Sequence, residues 1–272
     1  MPDLLPLLQS ETLKNAGFAH GFSTRAGGVS EPPYDTLDFA LLRDPARLQE
    51  NQRRLAEAVG FDPRRLYQAR QVHGRAVVVA DGDPAELLTQ PADALLAERG
   101  SGVAVAVRVA DCVPVLLADP RTGRVAAVHV GWRGVVADVV GAAARNLAHD
   151  AQSGGRGSGS SSAGVAGGFL AAIGPCIGSC CFEVDQDVAE AIARTTTSGV
   201  VSRRDEGRGK AYVDLRSAVR TQLRALGLSD TVIDDVPGRG SAGCTRCDAR
   251  SFYSHRRDGD QSGRLIAVIV AR

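Results

Sequence analysis

A succession of short valine-rich runs constrains this chain more than any other feature: VAVAVRV at 103–109, VPVLLA at 113–118 and RVAAVHV at 124–130. Each is too short for a buried helix, and β-branched side chains pack well on a pleated surface while losing freedom in a helix. DPRTG joins the last two with the residues of a tight reversal, so they are predicted to pair as a hairpin. AVVVA at 76–80, FLAAIG at 169–174, TVIDDV at 231–236 and RLIAVIVA at 264–271 extend the strand set.

Helical spacing separates these runs. ARLQENQRRLAEAVG places Leu48, Leu55 and Val59 on one face and stops at Gly60, a C-terminal cap signal. VVADVVGAAARNLAHD at 135–150 puts Val135, Val136, Val139, Val140, Ala143 and Leu147 on another helical face, and VDQDVAEAIA also reads as helix. DLRSAVRTQLRALG carries Leu215, Val219, Leu223 and Leu226 behind an Asp214 N-cap. Strands and helices intermingle without a strict βαβ beat, which predicts mixed sheets covered by helices. The Gly/Ser-rich stretch at 151–168 offers too little apolar surface to offset ordering entropy and is read as a flexible surface loop.

The 272 residues hold 32 Lys and Arg against 31 Asp and Glu, a net charge of +1, which gives no reason to expect a nucleic acid or anionic membrane partner. The N-terminal stretch lacks a basic segment ahead of its leucines, and no run approaches the roughly 18 apolar residues of a membrane span, so a cytoplasmic location is expected. Six cysteines, two of them adjacent, are too sparse for a secreted disulfide scaffold and suit reduced thiols.

Three residues stand out by ligand chemistry: His73 in QVHG, Cys112 in VADCVP and His129 in AVHVGWRG. Two imidazoles and a thiolate fill three of zinc's four positions, the pattern of a catalytic site that leaves one position for water or substrate. Their intervals of 39 and 17 residues match no short metal motif, so a satisfied core histidine and a small apolar cysteine are the competing reading. Cationic candidates are Arg25 between Thr24 and Ala26, Arg70 beside the QVHG stretch, Arg133 among the glycines of GWRG, and Arg256 and Arg257. GWRG lies where a strand hands over to a helix, a place suited to an anion.

GFSTRAGGVS, QVHG, ADCVPVLLAD, AAVHVGWRG, AIGPCIGSCCFEV, DLR, and CTRCD followed by FYSHRRDGDQSGR occur in that order. Together they resemble the multicopper polyphenol oxidase, laccase-like family of purine nucleoside phosphorylases, from about residue 15 to the C-terminus. The resemblance implies one domain over 1–272, of α/β (α+β) class: a four-layer α/β/β/α sandwich with mixed sheets. It implies that His73, Cys112 and His129 bind one zinc and form the catalytic centre; beside it, Arg25, Arg70, Gln71 and Arg133 are taken from their charge and placement as the candidate substrate- and phosphate-binding set. The activity implied is phosphorolysis of adenosine, inosine and methylthioadenosine together with adenosine deamination. Purine nucleosides and phosphate are then the partners, and a monomer or weak dimer stays open.

Copper is less suited, because blue-copper sites favour an axial Met and the single Met here is Met1. A Cys112–His129 nucleophilic pair, acting as a cysteine hydrolase on peptidoglycan precursors, is the alternative enzyme; a metal-dependent purine-binding protein is the non-enzymatic one. Asp111 is either an orienting carboxylate beside Cys112, a proton carrier or an ordinary turn residue. CIGSCC and CTRC have spacing suited to a second zinc site, but adjacent Cys180 and Cys181 are expected to point apart. Cys176, Cys180, Cys181, Cys244 and Cys247 are therefore read as buried thiols near the cleft. His255, where the family pattern has Tyr, is either a fourth ligand or a neutral replacement.

Overall fold

The structure is a computed structural model describing residues 5–148, 168–236 and 243–272. The loop expected at 151–168 lies, apart from Gly168, outside the described residues. The valine-rich runs form strands, and the anticipated hairpin pairs Val113–Ala118 with Val125–Val130 in antiparallel register, Val113 opposite Val130 and Ala118 opposite Val125. This hairpin is the centre of a six-stranded sheet ordered Ile233–Asp235, Leu170–Ile173, Val113–Ala118, Val125–Val130, Ala94–Ala97, Val77–Val79. A five-stranded sheet runs Leu7–Leu8, His20–Ser23, Leu265–Val270, Ala104–Val109, Leu66–Tyr67. Both are mixed, with parallel pairs at Val77–Val79 on Ala94–Ala97 and at Leu66–Tyr67 on Ala104–Val109.

Strand alternation sorts the side chains into layers. Leu95, Leu116, Ala118, Val125 and Ala127 of the larger sheet meet Val105, Val107, Ala267 and Ile269 of the smaller one in a core between the sheets. The opposite parity of the larger sheet, including Leu96, Val115, Leu117, Val128 and Val130, packs under the helices Val139–Ala148 and Leu215–Ala225. On the far side, Ala104, Ala106, Ile266 and Val268 pack with Leu55 of the helix Pro45–Val59 and with Leu37 and Phe39. The result is the four-layer α/β/β/α order. Strands buried on both faces explain runs that are apolar throughout, and each fully buried Val, Leu or Ile contributes about 1.5–3 kcal/mol.

One expected element differs. The segment predicted as a single helix from 135 is two, Trp132–Val136 and Val139–Ala148, with Asp138 between them at φ 57°. The Asp138 carboxylate accepts from Gly141 N–H at 3.2 Å, and a local side-chain bond of this kind competes with helix continuation. A small antiparallel sheet of Glu183–Asp185, Lys210–Val213 and Val201–Asp205 escapes sequence reading, because Ser202, Arg203 and Arg204 are exposed and supply no apolar alternation.

Candidate metal centre

His129 is the fifth residue of the strand Val125–Val130 and shares the parity of Val125 and Ala127, so its side chain is on the inter-sheet face at the end of the sandwich. Cys112 immediately precedes the paired strand, whose Pro114 lies opposite His129. His73 comes from the connection before Val77–Val79. Its Nε2 stands 3.8 Å from Cys112 Sγ, and the two imidazole centroids are 4.8 Å apart at 75°. Nitrogen and sulfur atoms of the three residues all lie within 4.8 Å of one another. Tetrahedral zinc with bonds of 2.0–2.3 Å sets its ligand atoms about 3.5 Å apart, so this donor set fits a borderline-soft ion with little rearrangement.

A fourth residue organises the centre, and ligand chemistry alone does not pick it out. Asp93 is fully buried just before the strand Ala94–Ala97, which pairs with the His129 strand. Its carboxylate accepts from His129 Nδ1–H at 2.8 Å, and its carbonyl accepts His129 N–H at 2.7 Å. The bond to Nδ1 leaves Nε2 as the donor to a metal. The same carboxylate accepts the N–H groups of His73 at 2.9 Å and Gly74 at 2.7 Å. His73 has φ 60°, a left-handed conformation costing a non-glycine residue about 1–3 kcal/mol, and these bonds hold it there. Glycine is required at 131, since a Cβ there would come within 2.7 Å of the His73 ring and 3.3 Å of Cys112 Sγ.

Electrostatics bind the trio together. Burial alone would raise the Cys112 thiol, but the adjoining His129 and His73 rings outweigh it and bring it down to about 6. Burial likewise disfavours the His129 imidazolium, yet the Cys112 sulfur and the Asp93 carboxylate outweigh it and raise this group to about 9. Asp93 is pushed up by burial and drawn down further by His129 and the Gly74 and His73 N–H groups, which hold it below the ordinary carboxylate range. A thiolate ready-made for a cation results. The satisfied core histidine is instead His20, whose Nδ1 meets the Phe18 carbonyl and whose Nε2 accepts from Ser10 N–H, both at 2.8 Å.

The other residues singled out in the sequence take varied places. The Gln71 amide pairs with the Arg108 backbone, donating to its carbonyl at 2.7 Å and accepting its N–H at 2.9 Å, which seats the His73 segment on the smaller sheet. Arg70 is exposed and donates to the Thr89 carbonyl at 3.3 Å. Arg133 is exposed one residue into the helix Trp132–Val136, its guanidinium 4.5 Å over the Trp132 ring and without an ion pair among the described residues. Arg25 donates to the carbonyls of Pro33, Asp35 and Ala249. Asp111, at φ 88°, accepts from Thr245 Oγ1 and from Arg256 N–H, each at 2.6 Å, and so ties the C-terminal loop to the turn carrying Cys112. Arg257 donates to the Thr245 and Phe252 carbonyls at 2.9 Å. His255 is exposed, with Nδ1 2.9 Å from the Gly259 carbonyl, and is not part of the His73 group.

The expectation that Cys180 and Cys181 diverge is overturned. A turn closed by Cys181 N–H on the Gly178 carbonyl at 2.9 Å, rather than a flat strand, carries both sulfurs, and they gather with Cys244 and Cys247 within 4.8 Å. Nor are the five thiols uniformly buried: Cys180 and Cys247 are exposed, while Cys176, Cys181 and Cys244 are buried.

Among the described residues, no helix is long and apolar enough to cross a membrane. A purine nucleoside phosphorylase of Streptomyces coelicolor is 35% identical over 264 residues, spanning 96% of this chain and 98% of the relative. An adenosine deaminase, RL5, from an unknown prokaryotic organism is 34% identical over 99% of this chain and 100% of its own length. The crystal structure of YlmD from Geobacillus stearothermophilus superposes with a TM-score of 0.81 at 29% identity, covering all of both chains. Residues 19–272 match the family model described as multi-copper polyphenol oxidoreductase laccase, and with the His73, Cys112 and His129 geometry in place, the chain belongs to that family.

Proposed function

We propose that this protein is a zinc-dependent purine nucleoside phosphorylase acting on adenosine, inosine and methylthioadenosine, with adenosine deaminase activity. The observation that carries the reading is the three-donor centre of His73, Cys112 and His129, held by one buried carboxylate, in a chain similar over nearly its whole length to enzymes named for these reactions. Zinc in a three-ligand protein site supplies Lewis acidity and the activation of water near neutral pH.

The chain's own residues do the rest. Asp93 keeps the proton on His129 Nδ1, fixing the ring and its free nitrogen through turnover. In phosphorolysis a phosphate oxygen bonds to C1′ of the ribose as the C1′–N9 bond breaks, and the purine leaves with a proton. Arg133, exposed, stacked on Trp132 and without an ion pair among the described residues, holds the phosphate dianion, and exposed Arg70, three residues before His73, adds charge. Arg25 and Gln71, whose donors bind main-chain carbonyls, shape the walls that receive the nucleoside. In deamination water adds at C6 of adenosine and ammonia leaves, with no demand on the phosphate ligands.

Incubation with inosine and phosphate should yield hypoxanthine and ribose 1-phosphate, and omission of phosphate should abolish both products. Free ribose without phosphate would identify a hydrolase and sink the reading. One observation favours a second reading: the depressed Cys112 thiol beside His129 is also the makeup of a cysteine nucleophile. Metal content decides between them, because a zinc-bound thiolate is a poor nucleophile.

A further inference from the structure

We propose that Cys180, Cys181, Cys244 and Cys247 form a second, structural metal site for zinc or a comparably thiophilic divalent ion. Cys180 Sγ stands 3.6 Å from Cys244 Sγ and 3.7 Å from Cys247 Sγ, and Cys181 Sγ is 3.3 Å from Cys247 Sγ. All four sulfurs lie within 4.8 Å of one another. Zinc–sulfur bonds of about 2.3 Å arranged tetrahedrally put sulfurs about 3.8 Å apart, so the four surround a point an ion could occupy with small adjustments.

Two further features suit a tetrathiolate and have no part in the His73 centre. Gly178 N–H donates to Cys244 Sγ at 3.2 Å, and Arg246 Nη1 approaches Cys181 Sγ at 3.5 Å. Four thiolates around a divalent ion leave two negative charges, which a backbone N–H and a guanidinium offset. The ligands come from two turns, Gly178–Cys181 and Cys244–Cys247, the latter closed by Asp248 N–H on the Cys244 carbonyl at 3.0 Å. Four protein ligands leave no open position, so the ion stabilises and does not catalyse. Loading releases the four thiol protons to solvent and involves no redox change.

The clamp has a structural consequence. It joins the segment entering Glu183–Asp185 to the loop whose Thr245 Oγ1 and Arg256 N–H hold Asp111, the residue before Cys112. The second ion thereby braces the wall behind the first.

The test is elemental analysis of protein purified under reducing conditions without added metal, together with thiolate-to-metal charge-transfer absorption after cadmium exchange. Wild type should hold about two ions per chain, and Cys112→Ala about one, with the cadmium–thiolate band of a four-sulfur site retained. The double variant Cys180→Ser/Cys247→Ser should lose that band. A folded Cys112→Ala protein that holds no ion overturns the proposal. So does wild-type protein in which all four thiols react with a disulfide reagent as fast as they do after chelation; this arm needs no variant to fold. If the His73 centre takes no metal, wild type and Cys112→Ala each hold one ion with the same cadmium band, which upholds this site while removing the other.

Discussion

The two ligand clusters differ in what positions them. His129 is part of a central strand, Cys112 adjoins its partner strand, and a fully buried Asp93 fixes both His129 and the backbone at His73. The cysteine cluster sits on two turns, and two of its members are exposed. Three mixed donors at a sheet end would leave a bound metal coordinatively unsaturated and in one place, as the proposed chemistry requires. Four like donors on turns enclose an ion and confer stability on the turns themselves. On the two proposals above, ligand number and the stiffness of the supporting element are what would separate a reacting centre from a bracing one.

The largest effect that would sharpen this contrast comes from the carboxylate serving only one cluster. Asp93→Asn should weaken metal binding at the His73 centre by roughly 10–100-fold, with the Cys180 cluster unchanged. Competition against a chelating dye, read separately in Cys112→Ala and in the Cys180→Ser/Cys247→Ser protein, gives both affinities. Equal losses at both would mean that Asp93 acts through global folding.

A smaller change is expected at the anion side. Arg133→Ala should cost about 2 kcal/mol in phosphorolysis, close to a 30-fold fall in kcat/KM, while adenosine deamination stays within a few-fold. Parallel losses in both reactions would assign Arg133 to nucleoside binding or to the helix it starts.

The smallest effect concerns the metal-free centre. Cys112 is lowered to about 6, so its thiolate stabilises the fold at higher pH and that contribution is lost as pH falls through about 6. His129 is raised from 6.5 to about 9, so its contribution is complete below 6.5 and lost as pH rises through about 9. Alkylation of Cys112 in the stripped protein should accordingly rise about tenfold between pH 5 and pH 7 and then level off. Metal should suppress it. A rise delayed to the range of an ordinary thiol would show that the His129 charge does not reach Cys112.

The trio that the fold brings together was legible in the chain: two histidines and a cysteine at the ends of, or within, valine-rich runs belong to one ligand class, and motif order ties the chain to a family. The hairpin was legible as well, because DPRTG and the flanking valines act over a few residues. Asp93 was not, since nothing near PADALLA marks it; its role exists because Ala94–Ala97 pairs with Val125–Val130 in a register that sets Asp93 against His129. The need for glycine at 131 depends on His73 arriving from another segment, and the convergence of Cys180 with Cys247 depends on two turns meeting. Asp138 divides a helix whose apolar spacing reads as continuous, through a bond its own carboxylate makes. Residue type and short-range periodicity determine which segments become buried strands and which atoms are candidate ligands. Sheet order and register, set by the packing of two double-faced sheets, decide which of those atoms meet.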